Sequence, residues 1–508
     1  MHNSPRVILH PLLLAAYPVL FLYGQNLGEV ALEGLVIPLT FAFAVLSVSY
    51  SLFFLHFREM ERTSLMTSLF LVIFFFSGIF AELLSKYAPL LYLGETVIPH
   101  QFILVFFSAA FLTLSLSLLS GHKGDLKPIT FYFNLLASTL ALLNLLTVVP
   151  FLLSTSLNGS QSSPTGLHPE AECTGACPDI YYIILDAYPR DDVLRESFGF
   201  ENGPFIDSLS SRGFYVASDS RSNYANSYQS LSSSLNMDYL DALVDSMKSA
   251  SMNRYMVYEM IKENKVQGYL ESKGYVIINF RSGWGPTDDM GDSDIQLSPF
   301  DFRENNEFFV VLLQNTVLAP AIEQVIWDSR RENILYAFDN LGGVADMPES
   351  TFTFAHILCP HPPFLFDEDG SLPSSDAGLS LDDLMAGQVS FVNRKVSDAV
   401  DEILSKSDEP PVIILQADHG TGLLGSNSVC MLKPSSIYSV NESELEDRMK
   451  ILNAYLLPGG GSEGLYESIS PVNSFRVVFN RYFHENLTLL EDRSFISCDS
   501  DTFNFREL

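Results

Sequence analysis

The sequence predicts two fold classes in one chain: an N-terminal all-α membrane domain of five transmembrane helices, and a C-terminal α/β domain whose mostly parallel central sheet is covered by helices on both faces. Long apolar runs fill residues 1–154, and strand-like and helix-like stretches alternate from residue 179 onward. Residues 155–178 are rich in Ser, Gly and Pro and predict a linker. The predicted domains are therefore 1–154 and 179–508.

Five apolar runs each approach or exceed the ~20 residues that an α-helix needs to cross a bilayer. They lie at 7–24, 32–57, 64–84, 99–120 and 129–154. If the N-terminus is inside, five of the six basic residues before residue 155 are cytoplasmic and only Lys86 is outside, which is the positive-inside pattern. Five spans then place the C-terminal domain on the extracytoplasmic side of the cell membrane.

Charge is distributed unevenly along the chain. Residues 1–154 carry 6 of the 29 basic and 7 of the 60 acidic residues, so the remainder carries 23 and 53, a net charge of −30. A domain this acidic is not expected to bind nucleic acid, and its dispersed charges indicate a solvated surface. The five cysteines suit an external compartment. Cys173 could pair with Cys177, and Cys430 with Cys498, although the sequence does not determine connectivity.

Six segments of the C-terminal domain are typical of strands. They are 180–185, 214–218, 275–280, 351–357, 412–416 and 451–457. In open α/β sheets, functional groups gather at the carboxyl ends of strands. Polar residues that follow four of these strands are the site candidates: Asp186, Ser227, His356, His361, Asp418 and His419.

Each candidate alone has an ordinary structural explanation. A strand-end Asp or a Ser at a helix start often caps a helix, and a single His is more often a core or surface residue. Together, however, they form a set of hard-oxygen and imidazole donors suited to Zn²⁺, Mn²⁺ or Mg²⁺. Their joint occurrence favours a metal site. Cys359, in contrast, is predicted to be a small buried residue, and the apolar stretch 305–326 a core helix rather than a surface resting on the bilayer.

The order of these motifs resembles the alkaline phosphatase superfamily. The strand "IYYIIL" ends in Asp186, a Ser begins a predicted helix, and "HILCPHPP" and "ADHG" follow further strands. Within the superfamily, the chain is most similar to sulfatase-like membrane enzymes, the phosphoethanolamine transferases and lipoteichoic acid synthases. These proteins also carry about five N-terminal spans and an extracytoplasmic catalytic domain. The resemblance covers the architecture of the whole chain, with specific motifs in 179–458.

The resemblance implies a role for each candidate. Asp186, Ser227, Asp418 and His419 match the family's metal ligands, and Ser227 also occupies the position of the catalytic nucleophile. His361 matches a histidine that binds the phosphoryl group or a second metal.

His356, the upstream neighbour of His361, is assigned with it to the catalytic group. The family's transferases usually carry a further histidine after the Asp-His-Gly motif, whereas residues 421–450 contain none. Lys433 or Arg448 could supply positive charge there, although a surface role is expected of both.

We therefore expect a membrane-anchored, metal-dependent phosphotransferase or hydrolase that acts on phospho-headgroup esters through a serine nucleophile. The implied cofactor is a divalent ion, Zn or Mn first, with Mg or Ca compatible. The implied partners are the lipid bilayer and a membrane lipid or surface glycan substrate. Sulfatases of this fold use a formylglycine made from Cys or Ser in a C/S-x-P-x-R context. The sequence "SYQSL" lacks both the Pro and the Arg, which favours phosphoryl chemistry.

Two alternatives stay open. A sulfatase would share the fold and the metal site, and a non-catalytic surface-binding or scaffolding module would share the fold and could retain the metal without turnover. A transporter is disfavoured, because the predicted spans contain almost no charged residues.

Overall fold

The computed structural model describes the chain in fourteen stretches: 7–27, 30, 32–87, 91–93, 96–98, 100–157, 177–240, 255–291, 293–299, 307–374, 378–422, 442–459, 462–498 and 501–508. Contacts within the chain divide it into two compact units. The first contains Met1–Ser162 and Asn305–Asp328, and the second contains Ser163–Glu304 and Ser329–Leu508. The predicted domain limits, with 155–178 as the linker, remain a prediction.

Helices dominate the first unit. The helices are α1 (His10–Gln25), α2 (Val36–Phe57), α3 (Met60–Tyr87), α4 (His100–Gly121), α5 (Lys127–Leu157), α12 (Glu307–Gln314) and the start of α13 (Ala319–Asn340). A short hairpin joins β1 (Leu91–Leu93) to β2 (Thr96–Ile98). The side chain of Asn134 in α5 accepts hydrogen bonds from the backbone of Leu9 and His10, which fixes the start of α1.

Within the described residues, four helices are long and apolar enough to cross a membrane: those at Val36–Phe57, Met60–Ala81, Ile103–Gly121 and Lys127–Leu153. The apolar window of the third has none of its residues buried inside the protein, as expected of a helix covered by lipid. Helix α1 has 16 residues, fewer than the ~20 that a span needs. The predicted count of five spans is therefore not confirmed.

The apolar stretch 305–326 contributes to the core of this first unit. Phe308 and Leu312 of α12 are buried in a cluster with side chains of α1, α2 and α3. The chain after α12 also contacts α3 through its backbone: Gly78 N donates to Asn315 O at 2.9 Å, and Val317 N donates to Phe74 O at 2.9 Å. The predicted core helix thus exists, and the core it joins is that of the N-terminal helices.

Replacing Gly78 with Ala is expected to destabilise the first unit. A Cβ at residue 78 would lie 2.6 Å from Asn315 Cα and 2.8 Å from Gln314 O, both backbone atoms that cannot rotate away. Overpacking of this kind costs about 1–3 kcal/mol, so the unfolding temperature in detergent should fall. Gly121→Ala is the control, because a Cβ there meets nothing within 4 Å. Equal behaviour of the two variants would contradict the close contact.

The second unit is built on a seven-stranded sheet. Its strands are β3 (Ile180–Leu185), β4 (Tyr215–Val216), β5 (Val276–Phe280), β6 (Ile295–Leu297), β7 (Thr351–Ile357), β8 (Val412–Gln416) and β9 (Asn453–Leu456), in the order β4-β9-β8-β3-β7-β5-β6. The five strands from β8 to β6 are parallel, and β9 pairs antiparallel with β8 and β4. The predicted mostly parallel sheet is confirmed.

Helices of the second unit cover this sheet. They are α6 (Asp191–Phe198), α7 (Gly203–Ser211), α8 (Ser227–Asn236), α9 (Tyr255–Lys262), α10 (Lys265–Ser272), α11 (Gly285–Asp288), the end of α13, α14 (Leu381–Lys406), α15 (Glu442–Met449) and α16 (Pro471–Tyr482). Every residue of β3 is buried, which explains why this strand is apolar on both faces.

Alternate residues of β3 pack into one cluster with α8 and α16. A C-terminal hairpin of β10 (Phe495–Cys498) and β11 (Asp501–Glu507) braces α8. The contact between α8 and the hairpin is made by Gln229 of α8, whose side-chain amide donates to Ser497 Oγ at 3.0 Å and to Thr502 O at 2.8 Å. These contacts fix the helix that begins at Ser227.

Candidate active site

Three adjacent strands carry the candidate site at their carboxyl ends. In the sheet, Ile184 of β3 pairs with His356 of β7 on one side and with Gln416 of β8 on the other. Asp186 follows β3 by one residue and Asp418 follows β8 by two. The parallel register therefore places two carboxylates and one imidazole at the same edge.

These three side chains fit a divalent cation. One donor atom each from Asp186, His356 and Asp418 lies within 4.8 Å of the others, and all three residues are buried. Asp186 Oδ1, His356 Nε2 and Asp418 Oδ2 have no hydrogen-bond partner in the part of the chain that the structure describes. Buried polar atoms are normally paired, so orphan atoms of metal-ligand type on three neighbouring residues are the kind of donor set that a divalent ion binds.

His419 lies beside both carboxylates. Its Nε2 is 3.7 Å from Asp186 Oδ1 and 3.7 Å from Asp418 Oδ2, and His356 Nε2 is 3.9 Å from Asp186 Oδ2. These separations exceed a hydrogen bond of ~2.7–3.2 Å, so the groups do not simply pair with one another. A cation held by Asp186, His356 and Asp418 would supply the partner that their orphan atoms lack.

Ser227 lies at the first turn of α8, within reach of this group. Its Oγ is 3.2 Å from His419 Nε2. The other ring nitrogen, Nδ1, is 2.7 Å from the carbonyl oxygen of Gly420, which can only accept. Nδ1 therefore carries the proton, and Nε2 presents a lone pair to the serine hydroxyl or to a cation.

Backbone contacts hold Asp418 in place. Its Oδ1 accepts hydrogen bonds from Ala187 N at 3.0 Å and His419 N at 2.9 Å. Ala187 has φ = 60°, a left-handed conformation that a non-glycine residue adopts only under constraint. The backbone carbonyl of Asp418 also accepts a hydrogen bond, from Ser230 Oγ of α8 at 2.6 Å. One residue thus links the turn after β3 to the helix that carries Ser227.

The pKa values of Asp186 and Asp418 are shifted in opposite directions. Burial and the neighbouring Asp418 raise the pKa of Asp186 well above its ordinary value. Burial also opposes ionisation of Asp418, but His419, His356 and the Ala187 amide lower its pKa below the ordinary value. Like charges side by side push two pKa values apart in this way. Burial lowers the pKa of His356 and of His419 to about 4, so both imidazoles are neutral at pH 7 and can bind a metal.

The glycine of "ADHG" has a steric cause. Gly420 N donates to Arg448 O at 2.6 Å, and a Cβ at residue 420 would lie 2.7 Å from the carbonyl oxygens of Asp447 and Lys450. Only glycine permits this approach. It brings Arg448 to the site, where it is buried and its Nε donates to Ala225 O at 2.8 Å. The expectation of a surface role for Arg448 is therefore wrong, while Lys433 lies outside the described residues.

The remaining candidates take different positions. His361 is exposed, its backbone N donates to Asp186 O at 3.0 Å, and its ring centroid is 6.3 Å from that of His419. His356, which the sequence groups with His361 as catalytic, lies instead in the set of metal-type donors. Cys359 is a free, buried cysteine, as predicted. Cys177 is disulfide-bonded, and its predicted partner Cys173 lies outside the described residues.

The sequence reasoning missed the loop after β5, "RSGWGPTDD". Thr287 Oγ1 is 2.9 Å from His356 Nδ1, and the Trp284 ring lies edge-on to the same imidazole at 5.5 Å between centroids. The signal that could have found it is the strand-end rule itself. Because Phe280 pairs with Ala355, the loop after β5 leaves the sheet beside His356.

Comparison with known proteins gives solved structures only. No family model matches the chain, and no curated protein matches it. The integral membrane lipooligosaccharide phosphoethanolamine transferase A (EptA) from Neisseria meningitidis overlaps 93% of this chain and 95% of its own, with 13% identity and a TM-score of 0.41.

Two further structures overlap less of the chain. The C-terminal periplasmic domain of EcEptC from Escherichia coli, in complex with Zn, covers 66% of this chain and 94% of its own at 12% identity and a TM-score of 0.40. A protein in the alkaline phosphatase superfamily from Vibrio parahaemolyticus covers 68% and 80% at 12% identity and a TM-score of 0.39. These names belong to the classes that the sequence motifs resemble. At such values we draw no functional conclusion from the overlaps.

Opposite pKa shifts predict opposite effects on the stability of the metal-free protein. Ionised Asp186 opposes folding at neutral pH because its folded-state pKa is raised, so Asp186→Asn should stabilise the protein by about 1–2 kcal/mol. Ionised Asp418 favours folding above its ordinary pKa, a contribution lost as pH falls through the lowered folded-state value. Asp418→Asn should therefore destabilise by about 1–3 kcal/mol.

Both effects can be measured as changes in unfolding temperature, in detergent with a chelator. A pH of about 7.5 is suitable, because it lies about one unit above the ordinary pKa of His and keeps free imidazoles neutral. Adding a divalent cation should stabilise the unsubstituted protein and leave Asp186→Asn unchanged, since a ligand stabilises only the state that binds it. Two variants that shift in the same direction would contradict the separation of the two pKa values.

Proposed function

We propose that the chain is a membrane-anchored, metal-dependent phosphotransferase or phosphohydrolase, with Ser227 as its nucleophile. The observation that carries the proposal is the position of Ser227 Oγ, 3.2 Å from His419 Nε2, which itself lies 3.7 Å from the orphan carboxylate oxygens of Asp186 and Asp418. A serine hydroxyl is a poor nucleophile at neutral pH and must be activated. A set of cation ligands next to it supplies the means.

In this proposal Asp186, His356, Asp418 and His419 hold the cation, and Ser227 faces it. A bound divalent ion lowers the pKa of a coordinated hydroxyl, as it does for water from ~15.7 to ~7, which exceeds the ~10²–10⁴-fold gain from a general base alone. His419 Nε2 can serve one partner at a time, and we assign its lone pair to the cation. The neutral state of the imidazole at pH 7 supports that assignment.

The other groups bind and orient the substrate. The first turn of α8 presents backbone amides where a phosphate attached to Ser227 would lie, and helix N-termini favour anions. Arg448, buried beside Ala225, adds positive charge. The His361 side chain is exposed, yet partial burial of its ring lowers its pKa, so it is mostly neutral at pH 7 and its protonated form is a stronger acid than an ordinary imidazolium. We assign to that form the protonation of the leaving oxygen.

Two in-line displacements complete the proposed reaction. The Ser227 hydroxyl gives up its proton to solvent, and its Oγ bonds to phosphorus while the bond to the donor's oxygen breaks; His361 protonates the departing oxygen, which leaves a phosphoserine. An acceptor hydroxyl or water then gives its proton to His361 and attacks phosphorus while the bond from phosphorus to Ser227 Oγ breaks, and the released serine oxygen regains a proton from solvent. The four membrane-spanning candidates support a lipid donor and a location in the cytoplasmic membrane. An inside N-terminus with an extracytoplasmic catalytic domain requires an odd number of spans, and therefore the fifth span that the sequence predicts at 7–24. The acceptor is a surface glycan, a lipid or water.

Intact-mass analysis of the full-length protein, incubated with a membrane lipid extract and Mn²⁺ or Zn²⁺, tests the proposal. We expect a covalent adduct at Ser227 whose mass identifies the transferred group. Ser227→Ala should lose the adduct and lower turnover by at least ~10³-fold. Ser232→Ala is the matched control, since the Oγ of this buried serine of the same helix has no hydrogen-bond partner among the residues described.

Three results would overturn or redirect the proposal. Turnover by Ser227→Ala close to that of the unsubstituted protein would exclude the serine nucleophile. A formylglycine at residue 227 would identify a sulfatase. A retained metal with no adduct and no turnover of any lipid or ester would identify a binding module.

A further inference from the structure

We propose that Thr287 and Ser282 are positioning residues that hold His356 in the ring orientation and tautomer that bind the cation. This inference rests on the proposed metal-dependent function and extends the site to the loop after β5. Thr287 and Ser282 are not themselves metal-type donors. The contact that links them to the candidate metal site is the hydrogen bond between Thr287 and His356.

A continuous chain of hydrogen bonds leads away from His356. Thr287 Oγ1 is 2.9 Å from His356 Nδ1 and 2.8 Å from Ser282 Oγ. Ser282 Oγ is in turn 3.3 Å from Trp284 O and accepts from Trp284 N at 3.0 Å. Thr287 is fully buried, and Ser282 and His356 are nearly so. Water therefore has little access to substitute for these contacts.

The cation site determines the direction of this chain. For Nε2 of His356 to offer a lone pair to a cation, the ring proton must lie on Nδ1. Thr287 Oγ1 must then accept that proton, and its own hydroxyl must donate to Ser282 Oγ. The Ser282 hydroxyl can donate to the carbonyl of Trp284. Every proton has an acceptor in this arrangement, so the chain supports a metal-binding His356.

The loop is fixed well enough to act in this way. The Asp288 carboxylate accepts from Gly283 N at 2.8 Å and from Arg281 Nη2 at 2.7 Å. The side-chain amide of Asn279 donates to Asp288 O at 3.2 Å. These contacts close the loop on itself and on β5, so Thr287 is held opposite His356. Partners of a ligating histidine typically contribute 10–100-fold to metal affinity.

The alternative is that Thr287 merely fills space. Thr353 of β7 separates the two explanations, because it is also fully buried and its Oγ1 has no hydrogen-bond partner within the described ranges. Thr287→Val and Thr353→Val each exchange one buried hydroxyl for a methyl group of similar size. Only the first removes the acceptor for His356 Nδ1–H.

Titration of the full-length protein with Co²⁺, followed by its visible d–d absorption, measures both affinity and coordination. We expect Thr287→Val to weaken Co²⁺ binding by about 10–100-fold and to alter the d–d bands. Thr287→Ser, which keeps the hydroxyl, should restore both the affinity and the spectrum. Thr353→Val should match the unsubstituted protein in both respects.

Three other results of the Co²⁺ titration would each contradict a specific claim. Equal affinity and an identical spectrum for Thr287→Val would overturn the positioning role while leaving the metal site intact. An equal loss in Thr353→Val would reduce the effect to packing and overturn it as well. If the unsubstituted protein binds no Co²⁺, the proposed function and this inference both fail.

Discussion

Two carboxylates buried side by side are the constraint on which the second unit depends. Asp186 is 6% exposed and Asp418 is 2% exposed, and they follow neighbouring strands of one sheet. Burying one unpaired charge is costly, and burying two of the same sign is more so. The arrangement is stable in its ionised form only with a positive charge between them. The surrounding histidines do not provide it, because burial keeps both neutral at pH 7. In the proposed function, a bound divalent cation provides it.

The same constraint ties Ser227, the proposed nucleophile, to the metal-type donors. Asp418 accepts a hydrogen bond from the turn after β3 through its side chain and another from Ser230 of α8 through its backbone carbonyl. The helix that begins at Ser227 is therefore linked directly to a residue of the proposed cation site. Gln229 secures the same helix to the C-terminal hairpin. The position of the Ser227 hydroxyl relative to the carboxylates is thus fixed by short hydrogen-bonded links. A nucleophile held in this way would need little reorganisation before reacting.

The central strands of the sheet and most of the candidate site residues could be predicted from the sequence, because apolar runs and the polar residues at strand ends are local signals. The strands at 180–185, 351–357 and 412–416 have the predicted bounds, and their parallel order alone brings Asp186, His356 and Asp418 together. The helix start at Ser227 is likewise as predicted.

What could not be predicted depends on tertiary contacts between distant segments. Thr287 reaches His356 only because β5 and β7 are neighbours, which periodicity along the chain does not reveal. The buried position of Arg448 follows from the close backbone approach at Gly420. The placement of α12 among the N-terminal helices depends on the absence of a side chain at Gly78, and no local pattern distinguishes it from a core helix of the second unit.

The strongly acidic composition of residues 155–508, a net charge of −30, is compatible with an anionic substrate for a physical reason. Surface charges act in water over roughly 8 Å at physiological ionic strength, so dispersed acidic residues are largely screened from the site. Around the buried carboxylates the dielectric is lower and screening is weaker. There Arg448 and the proposed cation supply positive charge, and Arg448 lowers the pKa of Asp186 against the effect of burial. The acidic exterior favours solubility and attracts cations, whereas the affinity for the proposed phosphate substrate would be decided by the few groups that touch it.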